Sequence, residues 1–142
     1  NTVFLGAASR SGVEFFGMLP ETLTVPLGTT VDFRMSPPSF EAHTATFGPG
    51  DPLREPNSYL GQLAASFETP EFDPRATYPS EPPGTTASYS STLHGNGFWN
   101  TGLLDAVPSP LPASGQVTFG QAGSFTFICL IHPFMKGTVI VQ

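Results

Sequence analysis

The chain has 142 residues, a formal net charge of −6, and charged residues at only 11% of its length. This size suits a single domain, which we place over residues 1–142, and the high Phe, Gly and Pro content argues against long charged helices and favours β structure. The few basic residues are scattered, which argues against nucleic acid as a partner, and no apolar run reaches the ~20 residues that cross a bilayer.

Short strands separated by turns are expected before residue 48. We predict strands over residues 2–8, 13–18, 22–25, 30–35 and 43–47. Two of them, 22–25 and 30–35, alternate polar and apolar residues on either side of the turn that begins at Pro26. This pattern predicts that the two segments pair as a half-buried hairpin.

Residues 48–96 have a different composition. These 49 residues contain eight of the 16 prolines and six of the 11 acidic residues, and they show no sustained strand or helix period. A short helical turn is predicted at residues 58–67, where apolar side chains recur at helical spacing. We therefore predict a long loop-rich insertion, a feature that is uncommon in compact domains and is usually functional or mobile.

Strand patterns return after residue 97. We predict strands over residues 100–104, 117–119, 125–130 and 138–141. Many short strands without a long helix predict an all-β Greek-key β-sandwich that carries the insertion as an addition.

The segment after residue 124 carries the most informative side chains. Phe125, Phe127 and Cys129 share one face of a strand, so the thiol of the chain's one cysteine should be buried beside two core aromatics. His132 and Met135 follow in a turn and can fold back toward the sulfur. A thiolate, an imidazole and a thioether thus fall within seven residues.

This donor set points to copper. Two imidazoles and a thiolate with a weak thioether form the copper site used for electron transfer, whereas structural zinc makes little use of methionine. The set needs a second imidazole, and His43 lies at the start of a predicted strand. Either copper oxidation state is tolerated by such donors, which favours one-electron transfer.

The C-terminal run resembles the cupredoxins, the type 1 blue copper proteins, and is closest to their amicyanin, plastocyanin and pseudoazurin group. The resemblance rests on Cys-x2-His-x2-Met followed by Lys136 and Gly137, with Pro133 and Phe134 between His and Met. The resemblance covers roughly residues 14–47 and 97–142, and it leaves the insertion unexplained.

The resemblance implies a role for each donor. His43 and His132 would be the imidazole ligands of one copper ion cycling between Cu(I) and Cu(II), Cys129 the thiolate and Met135 the axial thioether. The family often has Asn after its first histidine, where this chain has Thr44. A hydroxyl there can brace the ligand loops with a shorter reach.

Function follows from the same resemblance. We expect an electron carrier and not an enzyme, with redox proteins docking near His132, Pro133 and Phe134. Alternatives are a copper storage or delivery module, or the cupredoxin domain of a larger copper oxidoreductase. Copper oxidases place His beside the cysteine, where this chain has Ile128 and Leu130.

The remaining expectations concern context. The chain starts at Asn1, so we expect a processed protein or an excised domain, monomeric and extracytoplasmic, with membrane contact only through a removed anchor or a fused domain. His94 is interpreted as a polar turn residue, with an extra metal or partner contact as the alternative. Met18 and Met35 are expected to pack in the core or at its edge. Phe98 and Trp99 are expected to pack under the insertion, with a role in relaying electrons as the alternative.

Overall fold

The computed structural model describes residues 1–82, 84–106 and 109–142. The strands among these residues are β1 (Thr2–Ala8), β2 (Glu14–Leu19), β3 (Thr22–Val25), β4 (Thr30–Met35), β5 (Thr46–Phe47), β6 (Ala87–Tyr89), β7 (Trp99–Asn100), β8 (Ser114–Phe119), β9 (Gly123–Ile128) and β10 (Lys136–Val141). They form two mixed five-stranded sheets, ordered β2-β1-β4-β8-β6 and β3-β10-β9-β5-β7.

The core lies between the two sheets. Along β4 every second side chain is buried, so Val31, Phe33 and Met35 face inward. Phe33 belongs to the first sheet, and its ring centroid lies 5.0 Å from Phe127 and 5.8 Å from Phe47 of the second. The predicted all-β sandwich is confirmed, and Met18 and Met35 are core residues as expected.

The predicted hairpin of residues 22–25 and 30–35 is wrong. β3 pairs in parallel with β10 in the second sheet, whereas β4 pairs with β1 and β8 in the first. The turn at residues 26–29 carries the chain from the second sheet to the first. Its Leu27 N–H donates to Gln142 O, just after β10 of the second sheet, and its Gly28 N–H donates to Phe119 O, in β8 of the first. A strand shows the same alternation of polar and apolar residues whether it pairs with the next strand or with one distant in sequence. The alternation therefore could not reveal the pairing partner.

The insertion contains two short helices, α1 (Tyr59–Ala65) and α2 (Pro74–Thr77), and 3-10 helices at Ser66–Glu68 and Leu93–Gly95. The predicted helical turn is confirmed by α1, which is capped where Gly61 N–H donates to Ser58 Oγ at 3.1 Å. Strand β6 was not predicted, because three residues are too few to show an alternation of polar and apolar side chains. No helix among the described residues is long and apolar enough to span a membrane.

A second apolar cluster lies between the insertion and the back of β9. It consists of Leu60, Leu63, Ala64, Ala76, Phe98, Ile128 and Leu130. Phe98 therefore packs under the insertion as expected, whereas Trp99 belongs to the main core.

Candidate metal centre

The loop that follows β9 is closed by its own backbone. Cys129 N–H donates to Met135 O at 3.0 Å, and Met135 N–H donates to His132 O at 2.8 Å. Phe125, Phe127 and Cys129 are all buried in the main core, as their shared strand face predicted. The thiol is therefore held at the inner surface of the sandwich, shielded from water.

His43 reaches the same place from a part of the chain that lies 86 positions before Cys129. Its backbone forms a two-way bridge with Leu104, with N–H to O distances of 3.0 and 2.9 Å. Its ring is fully buried and packs against Gly6, which lies at a register shift in the β1–β2 pair. Nothing in the local pattern of β1 marked Gly6 as part of this site, because its role depends on a ring 37 residues away in the chain.

The donor atoms of three predicted residues converge. His43 Nδ1 lies 3.2 Å from His132 Nδ1, and Cys129 Sγ lies 3.8 Å from the first and 3.7 Å from the second. Metal–nitrogen bonds of about 2.0 Å and a metal–sulfur bond of about 2.3 Å allow donor atoms of one ion to stand up to about 4 Å apart. The three separations fit donors that share one ion.

Protonation also favours metal binding by the imidazoles. Burial, with the nearby His132 ring adding to it, lowers the pKa of His43 to about 4. Burial likewise lowers the pKa of His132, against the attraction of Glu41 and Glu14. Both rings are therefore mainly neutral at pH 7, with a lone pair free to bind.

The pKa of the Cys129 thiol shifts in the opposite direction. Burial raises the pKa of Cys129, although N–H groups of Thr44 and the ligand loop lower it in part. A thiolate ligand must lose this proton, so metal binding by Cys129 releases it to solvent.

Met135 is buried at the end of the ligand loop. Its side chain is 1% exposed and belongs to the same buried cluster as Cys129. Its backbone bonds to both Cys129 and His132 place it beside them. Ligation by its thioether remains part of the proposal below.

Thr44 contacts the cysteine and the residue that follows it. Thr44 N–H donates to Cys129 Sγ at 3.4 Å, and Thr44 Oγ1 accepts the Leu130 N–H at 2.9 Å. The side chain is fully buried. A hydroxyl at this position thus braces the two ligand segments against each other.

The outer edge of the site is apolar and partly exposed. The His132 ring packs edge-on against Phe16 at 4.9 Å, and Phe134 lies 6.0 Å from His132 with 60% of its surface exposed. Of the three converging donors, His132 is the one that reaches the surface, since His43 and Cys129 are fully buried.

His94 lies outside this cluster. Its Nε2 is 3.1 Å from Glu81 Oε1 at the surface, in the 3-10 helix Leu93–Gly95. Within the described part of the chain, His43, Cys129 and His132 form the one group of three or more His, Cys, Asp or Glu residues close enough to hold an ion. Among the described residues, His94 is thus a polar turn residue next to Glu81 and is not part of the metal cluster.

Comparisons with known proteins give likeness in structure only. No model of a known protein family matches the sequence, and no curated protein matches it. A mutant plastocyanin of a fern has a TM-score of 0.53 at 19% identity, and the match covers 100% of both chains. Oxidised plastocyanin from Dryopteris crassirhizoma has a TM-score of 0.52, also at 19% identity and 100% coverage of both. Amicyanin from Paracoccus versutus has a TM-score of 0.53 at 18% identity, covering 99% of this chain and 79% of the amicyanin chain.

The fold and the donor set are consistent with each other. The two facing mixed sheets and these matches show that the chain has the cupredoxin fold. His43, Cys129 and His132, with Met135 beside them, are a donor set suited to one copper ion.

Proposed function

We propose that this protein is a type 1 blue copper protein that carries single electrons between redox partners. The observation that supports it most directly is the convergence of His43 Nδ1, His132 Nδ1 and Cys129 Sγ, all within 3.8 Å of one another. Met135 would complete the set as a weak axial donor. When bound, copper supplies a one-electron couple between Cu(II) and Cu(I).

The residues around the site suit such a carrier because they resist rearrangement. His43 is held by its bridge to Leu104, and Cys129 by its backbone bond to Met135. Full burial of His43 and Cys129 excludes water from the donor atoms. A donor set that stays in place while the charge changes keeps the reorganisation small, which favours fast outer-sphere transfer.

Electrons would enter and leave through the exposed edge of His132. Pro133 and Phe134 adjoin it, and Phe16 lies 6.1 Å from Phe134 on the same face. We propose that redox proteins dock on this apolar face, where small contacts permit rapid dissociation. Glu14 and Glu41 act on the His132 ring electrostatically, so the face carries negative charge that favours a cationic partner.

The two alternatives place different demands on the same residues. In a copper oxidase, His beside the cysteine connects to further coppers, but here Ile128 and Leu130 are packed into the apolar cluster under the insertion. A storage or delivery module needs copper to leave readily, whereas a carrier retains it through many cycles. Copper exchange to a chelator during repeated oxidation and reduction separates these two functions.

The remaining parts of the proposal concern context. We propose that the protein is a carrier without a catalytic step, acts as a monomer, and works outside the cytoplasm. Size-exclusion chromatography of the copper-loaded protein, and localisation of the native protein in cell fractions, test the last two points.

An optical and EPR titration with Cu(II) tests the function directly. The wild-type protein should develop an intense visible band from thiolate-to-copper charge transfer at one copper per chain. Cys129→Ser should abolish the band, and His94→Gln, which alters a histidine outside the cluster, should keep it. A colourless complex in the wild-type protein would refute the proposal.

A further inference from the structure

We propose that the insertion, residues 48–96, is a scaffold for the copper-ligand loop, and that Asn100 is the positioning residue through which it acts. The inference rests on the proposed function, because it assigns a task to residues around the copper site. Three separate contacts connect the insertion with the residues next to the ligands. One is apolar, one is a chain of hydrogen bonds, and one is an ion pair.

The apolar contact supports the ligand strand from behind. Ile128 and Leu130 flank Cys129 and are buried in the second apolar cluster, while the thiol is buried in the main core. Leu60 and Leu63 of α1 supply much of the insertion's share of that cluster. The backbone on either side of Cys129 is therefore packed on both faces.

The hydrogen-bond chain begins at the ligand loop. Leu130 N–H donates to Thr44 Oγ1 at 2.9 Å, the hydroxyls of Thr44 and Thr46 are 3.0 Å apart, and Thr46 Oγ1 donates to Asn100 Oδ1 at 2.8 Å. A hydroxyl has one proton, and Thr46 gives its proton to Asn100. Thr44 must therefore donate to Thr46, so every bond in the chain has a defined direction.

Asn100 connects this chain to the insertion. Its Nδ2 donates to Arg75 O at 2.9 Å and to Ala76 O at 3.0 Å, both in α2. Its backbone N–H donates to Ser80 Oγ at 2.8 Å. Asn100, Thr44 and Thr46 are all fully buried, so water cannot replace a lost partner without entering the protein.

The ion pair adds a contact at the other end of the ligand loop. Lys136 follows Met135 directly, and its Nζ pairs with Asp51 Oδ2 at the start of the insertion. Both side chains are about one-third exposed or less, and a pair of this kind contributes little by itself. It places the start of β10 against the same insertion that holds Ile128 and Leu130.

The hydrogen-bond chain acts on the copper site through one further bond, from Thr44 to the cysteine sulfur. Thr44 N–H donates to Cys129 Sγ at 3.4 Å, and Thr44 is held by its hydroxyl between Leu130 and Thr46. Hydrogen bonding to the cysteine sulfur is one determinant of the reduction potential of such a site. Loosening the chain weakens this bond, strengthens thiolate donation to Cu(II), and so lowers the potential.

Thr46→Val tests the inference, because it removes the hydroxyl with little change of shape. We expect the reduction potential to fall, the visible spectrum to shift, and the copper affinity to fall about tenfold or more. Thr46→Ser keeps the hydroxyl and should retain the wild-type potential and affinity. Tyr89→Phe is the matched control, since it removes another buried hydroxyl of the insertion that is not part of the hydrogen-bond chain and donates instead to Gly97 O at 2.8 Å.

The inference is overturned if Thr46→Val matches Tyr89→Phe in potential, spectrum and affinity, and differs from the wild type only in thermal stability. Failure of the proposed function is a different result, namely a wild-type protein without the visible band. In that event, the contact between the insertion and the ligand loop can still be tested on the metal-free protein. The reaction of Cys129 with a thiol reagent should be several times faster in Thr46→Val than in Tyr89→Phe, and equal rates would overturn the scaffold.

Discussion

Gly6 lies directly against the ring of His43, and a β-carbon at position 6 would stand 2.8 Å from Nε2 and 3.2 Å from Cδ2. The backbone at Gly6 also has a φ of +71°, which disfavours any other residue. Position 6 therefore determines where the first imidazole can lie.

Gly6→Ala should displace His43 and weaken copper binding. The backbone strain should lower the free energy of unfolding by about 1–3 kcal/mol, measured by urea denaturation of the metal-free protein. Gly12→Ala is the matched control, because Gly12 has a φ of +83° and no atom within 4 Å of an added β-carbon. Equal copper affinities in the two variants would show that the contact with His43 does not matter.

Met135→Leu should raise the reduction potential. Removal of a thioether donor destabilises Cu(II) more than Cu(I), and the potential depends on the axial ligand. Protein-film voltammetry measures the change. Met35→Leu, a substitution of another buried core methionine, should leave the potential unchanged, and a Met135→Leu protein with the wild-type potential would exclude the thioether as a ligand.

Copper affinity should rise with pH. Burial raises the pKa of Cys129 above its usual 9.0, so the thiol of the metal-free protein keeps its proton between pH 6.5 and 8. Burial lowers the pKa values of His43 and His132 from 6.5, so above pH 7 both rings are mainly neutral and the thiol supplies the proton that is released. One proton is then released per copper, and Cu(I) affinity, measured by chelator competition without oxygen, should increase about tenfold per pH unit. A flat profile would mean that the thiol is already ionised.

Glu41→Gln should change the rates of electron transfer with small charged reagents. Loss of one negative charge near His132 should slow reduction by hexaammineruthenium(II) and speed oxidation by ferricyanide, each about twofold at low ionic strength. Stopped-flow spectroscopy at two salt concentrations measures both. Glu68→Gln, at an exposed position in the insertion, should have little effect, and equal changes in the two variants would indicate a general charge effect instead of a docking face.

Much of the fold could be read from local patterns. Strands such as β1 and β4 were predicted with their observed bounds, because their alternation and flanking turns are encoded in the residues themselves. The pairing of β3 was predicted wrongly, because β10 lies more than 100 residues away in the chain and supplies its partner. Alternation indicates which side chains are buried, but not which strand lies alongside.

The amino-acid sequence alone determined the donor types and the spacing of Cys129, His132 and Met135, because seven residues at a strand end can meet one point by local geometry. Only the tertiary structure decided that His43 reaches the same point, that Gly6 leaves room for its ring, and that Asn100 ties the loop to the insertion. These contacts join residues that lie between 24 and 89 positions apart in the sequence. They form only when the strands and the insertion fold together, and no local pattern records them.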